Sequence, residues 1–161
     1  SLAWDYYSTA SAGWAIAGTG DFDGNGQDDV LLFNQSSGIV GAFEMSGDSL
    51  AWAYYSVLAS GFSIAGTGDF DGNGQDDVLL FNQSNGIVGA FEMSGDSLAW
   101  DYYSTAAPGW EIAGSGDYDG NGQDDVLLFN QSSGVVGAFE MSGENLAWDY
   151  HSTVSPGWEV A

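Results

Sequence analysis

The 161-residue chain carries 23 acidic residues, no lysine or arginine and a single histidine, so its formal net charge is -23. A polyanion of this kind excludes nucleic acid and anionic membrane surfaces as partners and leaves cations and neutral hydrogen-bonding surfaces. With no cysteine, disulfides, thiolate metal sites and thiol chemistry are excluded as well.

Hydrophobic residues make up 44% and aromatic residues 15% of the chain. Valine, isoleucine, leucine and aromatics alternate with glycine and small polar residues, which favours sheet over helix. No apolar run approaches the roughly 20 residues of a membrane-spanning helix, and no leader-peptide pattern is visible at Ser1.

Self-comparison gives a period of 48, with Trp4, Trp52, Trp100 and Trp148 in register. Residues 21–56 and 69–104 differ only at Ser37 against Asn85 and Ala53 against Asp101. Such identity points to recent duplication or deliberate construction. The register divides the chain into a leading partial repeat (1–13), three repeats (14–61, 62–109, 110–157) and the start of another (158–161).

Taken in order, residues 2–8 read as a strand. Within the first whole repeat, 14–18 form strand a, 30–35 strand b, 39–45 strand c and 50–56 strand d. Ser36-Ser37-Gly38 and Ser46-Gly47-Asp48-Ser49 are the turns, and 57–61 cross to the next repeat. Leu31 and Phe33 fall on one face of strand b, Val30 and Leu32 on the other, so both faces are apolar and each sheet must be covered on both sides. Gly41 and Ala42 are expected to let neighbouring sheets approach closely, and Trp14, aligned with Phe62 and Trp110, to pack between sheets. A 48-residue period of four short strands is close to the known four-stranded propeller repeats. The expected fold is therefore all-β, a β-propeller of four-stranded antiparallel blades with three repeats per chain, with a sheet solenoid as the alternative.

Between strands a and b lies Asp21-Phe22-Asp23-Gly24-Asn25-Gly26-Gln27-Asp28-Asp29, repeated at 69–77 and, with Tyr118 for phenylalanine, at 117–125. Twelve of the 23 acids sit in these three loops. Carboxylates about 5 Å apart repel by roughly 3 kcal/mol per pair at an effective dielectric of 20, so the folded loop calls for a counter-ion. Calcium takes six to eight oxygens. Asp21, Asp23 and Asn25 supply side chains, Gln27 its backbone carbonyl, and Asp29 closes the site with both oxygens. Gly24 and Gly26 permit the backbone to bend around the ion, Phe22 points into the sheet, and Asp28 is a supporting or surface carboxylate. The loop is not an EF-hand, since Leu32 stands where a bidentate glutamate is required. All-oxygen ligands favour Ca²⁺, Mg²⁺ or Mn²⁺ over zinc or copper. Solvated turn-forming aspartates are the alternative.

The run Gly-Asp-Phe-Asp-Gly-Asn-Gly-Gln-Asp-Asp-Val, followed by Leu31-Leu32-Phe33-Asn34 and Phe43-Glu44-Met45-Ser46-Gly47, resembles the FG-GAP or VCBS-type repeat of integrin α-subunit propellers, bacterial extracellular proteins and some propeller lectins. The resemblance implies about one Ca²⁺ per complete repeat. Its ligands would be Asp21, Asp23, Asn25, Gln27 and Asp29 in the first. Asp69, Asp71, Asn73, Gln75 and Asp77 follow in the second, and Asp117, Asp119, Asn121, Gln123 and Asp125 in the third.

Propellers of that family usually have seven blades, and three cannot close a ring of ordinary blade angle. A head-to-tail homo-oligomer is therefore the expected assembly, its surplus strands at 2–8 and 157–161 available for exchange between copies. The expected function is an extracellular, secreted or cell-surface structural or adhesion module, because calcium modules binding at about 0.1 to 1 mM fill outside cells. One alternative is a propeller lectin with pockets between blades. Trp4, Tyr6, Trp52, Tyr54, Trp100 and Tyr102 are its candidate ligand platforms, weighed against packing. Another is a symmetric propeller with no specific ligand. Catalysis is not expected: there is no lysine, arginine or cysteine, and His151 stands where other repeats have tyrosine.

Overall fold

A computed structural model describes residues 9–95, 97–143 and 145–155. The expected strand at 2–8, with Trp4 and Tyr6, and the start of a further repeat at 158–161 lie outside the described residues.

Every element among the described residues is a strand. β1 (Trp14–Gly20), β2 (Asp29–Asn34), β3 (Ile39–Ser46) and β4 (Ser49–Val57) form the first sheet. β5 (Ser63–Gly68), β6 (Asp77–Asn82), β7 (Ile87–Ser94) and β8 (Ser97–Thr105) form the second. β9 (Trp110–Gly116), β10 (Asp125–Asn130), β11 (Val135–Ser142) and β12 (Asn145–Thr153) form the third. Each sheet is a four-stranded antiparallel meander in chain order. The expected strands match these bounds to within two residues, because glycine, asparagine and serine turns punctuate runs of β-favouring residues.

The sheets stack on one another. Leu31, Val40 and Ala42 on the forward face of the first sheet share a core with Val78, Leu80, Phe91 and Met93 on the rear face of the second. Leu79, Val88 and Ala90 on the forward face of the second meet Val126, Leu128 and Phe139 on the rear of the third. Alternation along one strand thus serves two cores, which is why β6 is buried along its whole length. The leading strands β1, β5 and β9 lie next to each other, and the Thr67 hydroxyl donates to the Thr19 carbonyl at 2.8 Å, as that of Ser115 does to Thr67.

Ala42, fully buried between sheets, serves the close approach expected of it. Gly41 does not. A Cβ there would come within 2.6 Å of the Trp52 ring, so the glycine makes room for an indole of its own sheet, and Gly89 and Gly137 do so for Trp100 and Trp148. Just before it, the pairing of β3 with β4 shifts so that Tyr55 is an extra residue on β4. Its ring goes to the forward face, edge-on to Phe22 at 6.1 Å.

Candidate metal centres and aromatic grooves

The three acidic loops all connect the first strand of a sheet to the second, at one end of the stack. In the first, Asp21 turns both oxygens to backbone N–H groups of its own loop, Asn25 at 2.9 Å and Gly26 at 2.8 Å. Asp23 accepts from Asn25 N–H at 2.9 Å, and the Asn25 side-chain Oδ1 accepts from Gln27 N–H at 2.9 Å. Gly24 and Gly26 supply the expected left-handed backbone, at φ 75° and 86°. The Asn25 side-chain amide donates to the Met45 carbonyl, so the loop is tied to β3.

Asp29, the first residue of β2, is fully buried. Its two oxygens accept from Met45 N–H at 2.7 Å and Phe22 N–H at 3.0 Å. Asp77 repeats this with Met93 and Phe70, and Asp125 with Met141 and Tyr118. Burial pushes the Asp29 carboxyl up from its ordinary range against those two hydrogen bonds, with Asp23 and Asp21 adding to the rise. Burial pushes Asp77, between two sheets, up to about 8, with Asp71 and Glu92 adding to the rise.

Asp21, Asp23 and Asp29 bring carboxylate oxygens within 4.8 Å of one another, as do Asp69, Asp71 and Asp77 and also Asp117, Asp119 and Asp125. These residues fit a hard divalent cation. Every donor is an oxygen, no lysine or arginine exists in the chain to neutralise them, and a carboxylate oxygen holding one N–H keeps a further acceptor position.

Two loop residues do more than expected. The Gln27 side chain accepts from Gly47 N–H at 2.6 Å. Its counterpart Gln75 accepts from Gly95 N–H and also donates to the Phe22 carbonyl of the preceding loop at 2.8 Å. Gln123 reaches Phe70 in the same way at 2.9 Å. The Asp28 position turns into an inter-sheet clasp. Asp76 accepts from Asp21 N–H at 2.8 Å while its own N–H donates to the Asp21 carbonyl at 2.9 Å. Asp124 holds Asp69 likewise, at 3.1 and 2.8 Å. Burial pushes both clasp carboxyls up. Repetition of the aspartate was the available sequence signal, but nothing local shows that its partner lies 55 residues away.

The aromatic candidates lie on the fourth strand of each sheet. On β4, Trp52 and Tyr54 lie on the rear face and Tyr55 on the forward face. Trp52 meets Trp14 edge-on at 5.0 Å and Phe43 at 5.7 Å. Trp100 meets Phe62 and Phe91 at 5.3 and 6.2 Å, and Trp148 meets Trp110 and Phe139 at 5.0 and 5.6 Å. Packing and exposure coexist here: Trp52, Trp100 and Trp148 keep nearly half their surface in solvent, and Tyr54 and Tyr102 more. In the second sheet Trp100, Tyr102, Phe62, Leu80 and Phe91 line an apolar cleft of about 390 Å³ with residues 57–59. The tryptophan, first-strand aromatic, leucine and phenylalanine positions line smaller clefts in the first and third sheets, without the tyrosine.

On the forward faces, Tyr55 and Tyr103 donate to Glu44 and Glu92 at 3.2 and 3.1 Å, and burial with the neighbouring glutamate drives both phenols well above their ordinary range. His151 takes that position in the third sheet. Its Nδ1 is 3.6 Å from Asp149, and Glu140 completes an exposed cluster.

No family model, curated protein or solved structure matches the chain at a significant level.

Proposed function

We propose that this chain is a calcium-binding β-propeller segment of the FG-GAP or VCBS type, acting outside the cell as a structural or binding module rather than as an enzyme. The observation that carries the reading is the threefold repetition of one all-oxygen cage, with a fully buried aspartate at its base, in a chain without a lysine or arginine. Asp21, Asp23, Asn25, Gln27 and Asp29 would hold the ion in the first loop, and their counterparts would do so in the others. The ion would supply positive charge where closely placed carboxylates otherwise repel. Its effect would reach beyond one loop, since Gln75 and Asp76 tie the second loop to the first and Gln123 and Asp124 tie the third to the second.

Isothermal titration of the calcium-stripped protein tests this. About one Ca²⁺ per loop, binding at roughly 0.1 to 1 mM, is the expected result. No binding up to 10 mM, with roughly unchanged stability in chelator, leaves the loops as solvated turns.

A second reading, a carbohydrate-binding propeller, is favoured by the apolar clefts lined by half-exposed indoles, Trp100 with Tyr102 foremost. A cleft walled by indole and phenol rings suits the apolar face of a sugar ring. A glycan array read with and without calcium separates the readings.

A further inference from the structure

The first sheet meets the second and the second meets the third through one set of contacts, and each contact has a forward half and a rear half. On the rear side stand Thr67, Gln75 and Asp76 of the second sheet, and Ser115, Gln123 and Asp124 of the third. On the forward side stand the carbonyls and N–H groups they engage, at Thr19, Asp21 and Phe22 and at Thr67, Asp69 and Phe70.

Each half also occurs once more, facing away from the stack. On the rear of the first sheet, Thr19, Gln27 and Asp28 have the side chains of the clasp, yet among the described residues no preceding sheet answers them, and all three lie exposed. Ile16, whose counterparts Ile64 and Ile112 pack in the two cores, is 72% exposed. On the forward side of the third sheet, Tyr118 is 44% exposed whereas Phe22 and Phe70 are fully buried. The glycines keep the same imprint. A Cβ at Gly18 or Gly66 would press against Thr67 or Ser115 at 3.0 or 3.2 Å, and one at Gly24 or Gly72 against Gln75 or Gln123 at 2.9 or 2.8 Å. At Gly114 the nearest atom is the Tyr118 hydroxyl at 3.5 Å, and at Gly120 nothing lies within 4 Å. The third sheet therefore has room for an incoming threonine and glutamine of the kind its two predecessors receive.

We propose that the rear face of the first sheet and the forward face of the third are the two halves of one interface, joined head to tail between two copies of this chain. Thr19, Gln27 and Asp28 of one copy engage the backbone of Ser115, Tyr118 and Asp117 of the next, and Ile16 enters the core beside Leu127 and Val136, both half-buried here. The complementarity is that of the two internal interfaces, repeated from near-identical residues. Such an interface is heterologous, so it either closes into a ring or runs on as a filament, and two copies give a ring of twice three sheets. The inference does not rest on calcium or on any ligand.

Sedimentation velocity of the 161-residue chain over a range of concentrations tests it. The expected species is a discrete multiple of the 16.8 kDa chain. Ile16→Glu spoils the head, and Gly114→Glu, where a Cβ meets only the Tyr118 hydroxyl at ordinary contact distance in the single chain, spoils the tail. Each is expected to sediment as a monomer with an unchanged sheet circular-dichroism spectrum, and Asp28→Ala to weaken association about tenfold. Mixing Ile16→Glu with Gly114→Glu leaves one intact head and one intact tail, so the mixture is expected to form a two-chain species that neither forms alone. A wild-type chain that stays monomeric overturns the proposal, as it would if further repeats of a longer polypeptide cover both faces. A multimer that survives both variants overturns it too.

Discussion

The acidic loops join the first and second strands of each sheet, the aromatic grooves lie against the fourth, and the two are built on opposite terms. In the loops almost every polar group is used within the protein: Asp29, Asp77 and Asp125 are buried and each hold two backbone N–H groups. In the grooves, large apolar rings are packed on one edge and left in water on the other. A loop whose groups answer one another supports the frame, whereas a half-exposed indole beside a cleft is surface available to something else.

The largest expected effect is on the loops. If three sites are filled at tenfold saturation, removing calcium costs about 4 kcal/mol in all, a fall of roughly 10 °C in melting temperature on adding EGTA. A scanning-calorimetry midpoint that does not move breaks the contrast at its stronger end. Next, Asp77→Ala strands the N–H groups of Phe70 and Met93 in a buried site. In chelator, where lost metal adds nothing, a destabilisation of about 2 kcal/mol is expected by urea unfolding.

Proton linkage gives a third test. Burial pushes the Asp77 carboxyl up to about 8 in the fold, from 3.8 for an ordinary aspartate. The folded form thus binds the proton more tightly than the unfolded one, and stability falls as pH rises between those values. In chelator the protein should melt higher at pH 5.5 than at pH 8. Saturating calcium should shrink or reverse the difference, since the ion requires the carboxylate.

Smaller effects separate loops of the same sequence. In the Ile16→Glu background, which removes contacts between copies, Gln75→Ala loses a bond to the preceding loop that Gln27 lacks within the described residues, so it should cost about 1 kcal/mol more than Gln27→Ala in the same urea experiment. Smallest of all, Tyr102→Ala in the exposed groove should change stability by less than about 0.5 kcal/mol. If the cleft takes a saccharide, the same change should abolish the ligand-induced shift in tryptophan fluorescence.

Much of this was legible from the residues because the physics is local. Turns of glycine, asparagine and serine set the strand limits, apolar residues on both sides of a repeat's second strand call for cover on both faces, which β6 receives from both neighbouring sheets, and Asp-x-Asp-x-Asn with its glycines makes an oxygen-lined loop wherever it folds. The role of Gly41 is not legible in this way, because the ring it admits, Trp52, comes from across the ladder and not from the next sheet. The side chain of Gln75 and the clasp of Asp76 reach groups more than 50 residues away, beyond any pattern within one repeat.

By itself, then, the sequence determined the period, the four strands of each repeat, the two-sided core and the chemistry of the loops, since these depend on residue type and spacing. Only the tertiary structure decided which of three near-identical copies has its contacts answered. Phe22 and Tyr118 occupy one position in the repeat, yet the first is sealed beneath the next sheet and the second faces solvent. Burial belongs to neighbours in space, and a repeat cannot encode whether another repeat lies on top of it.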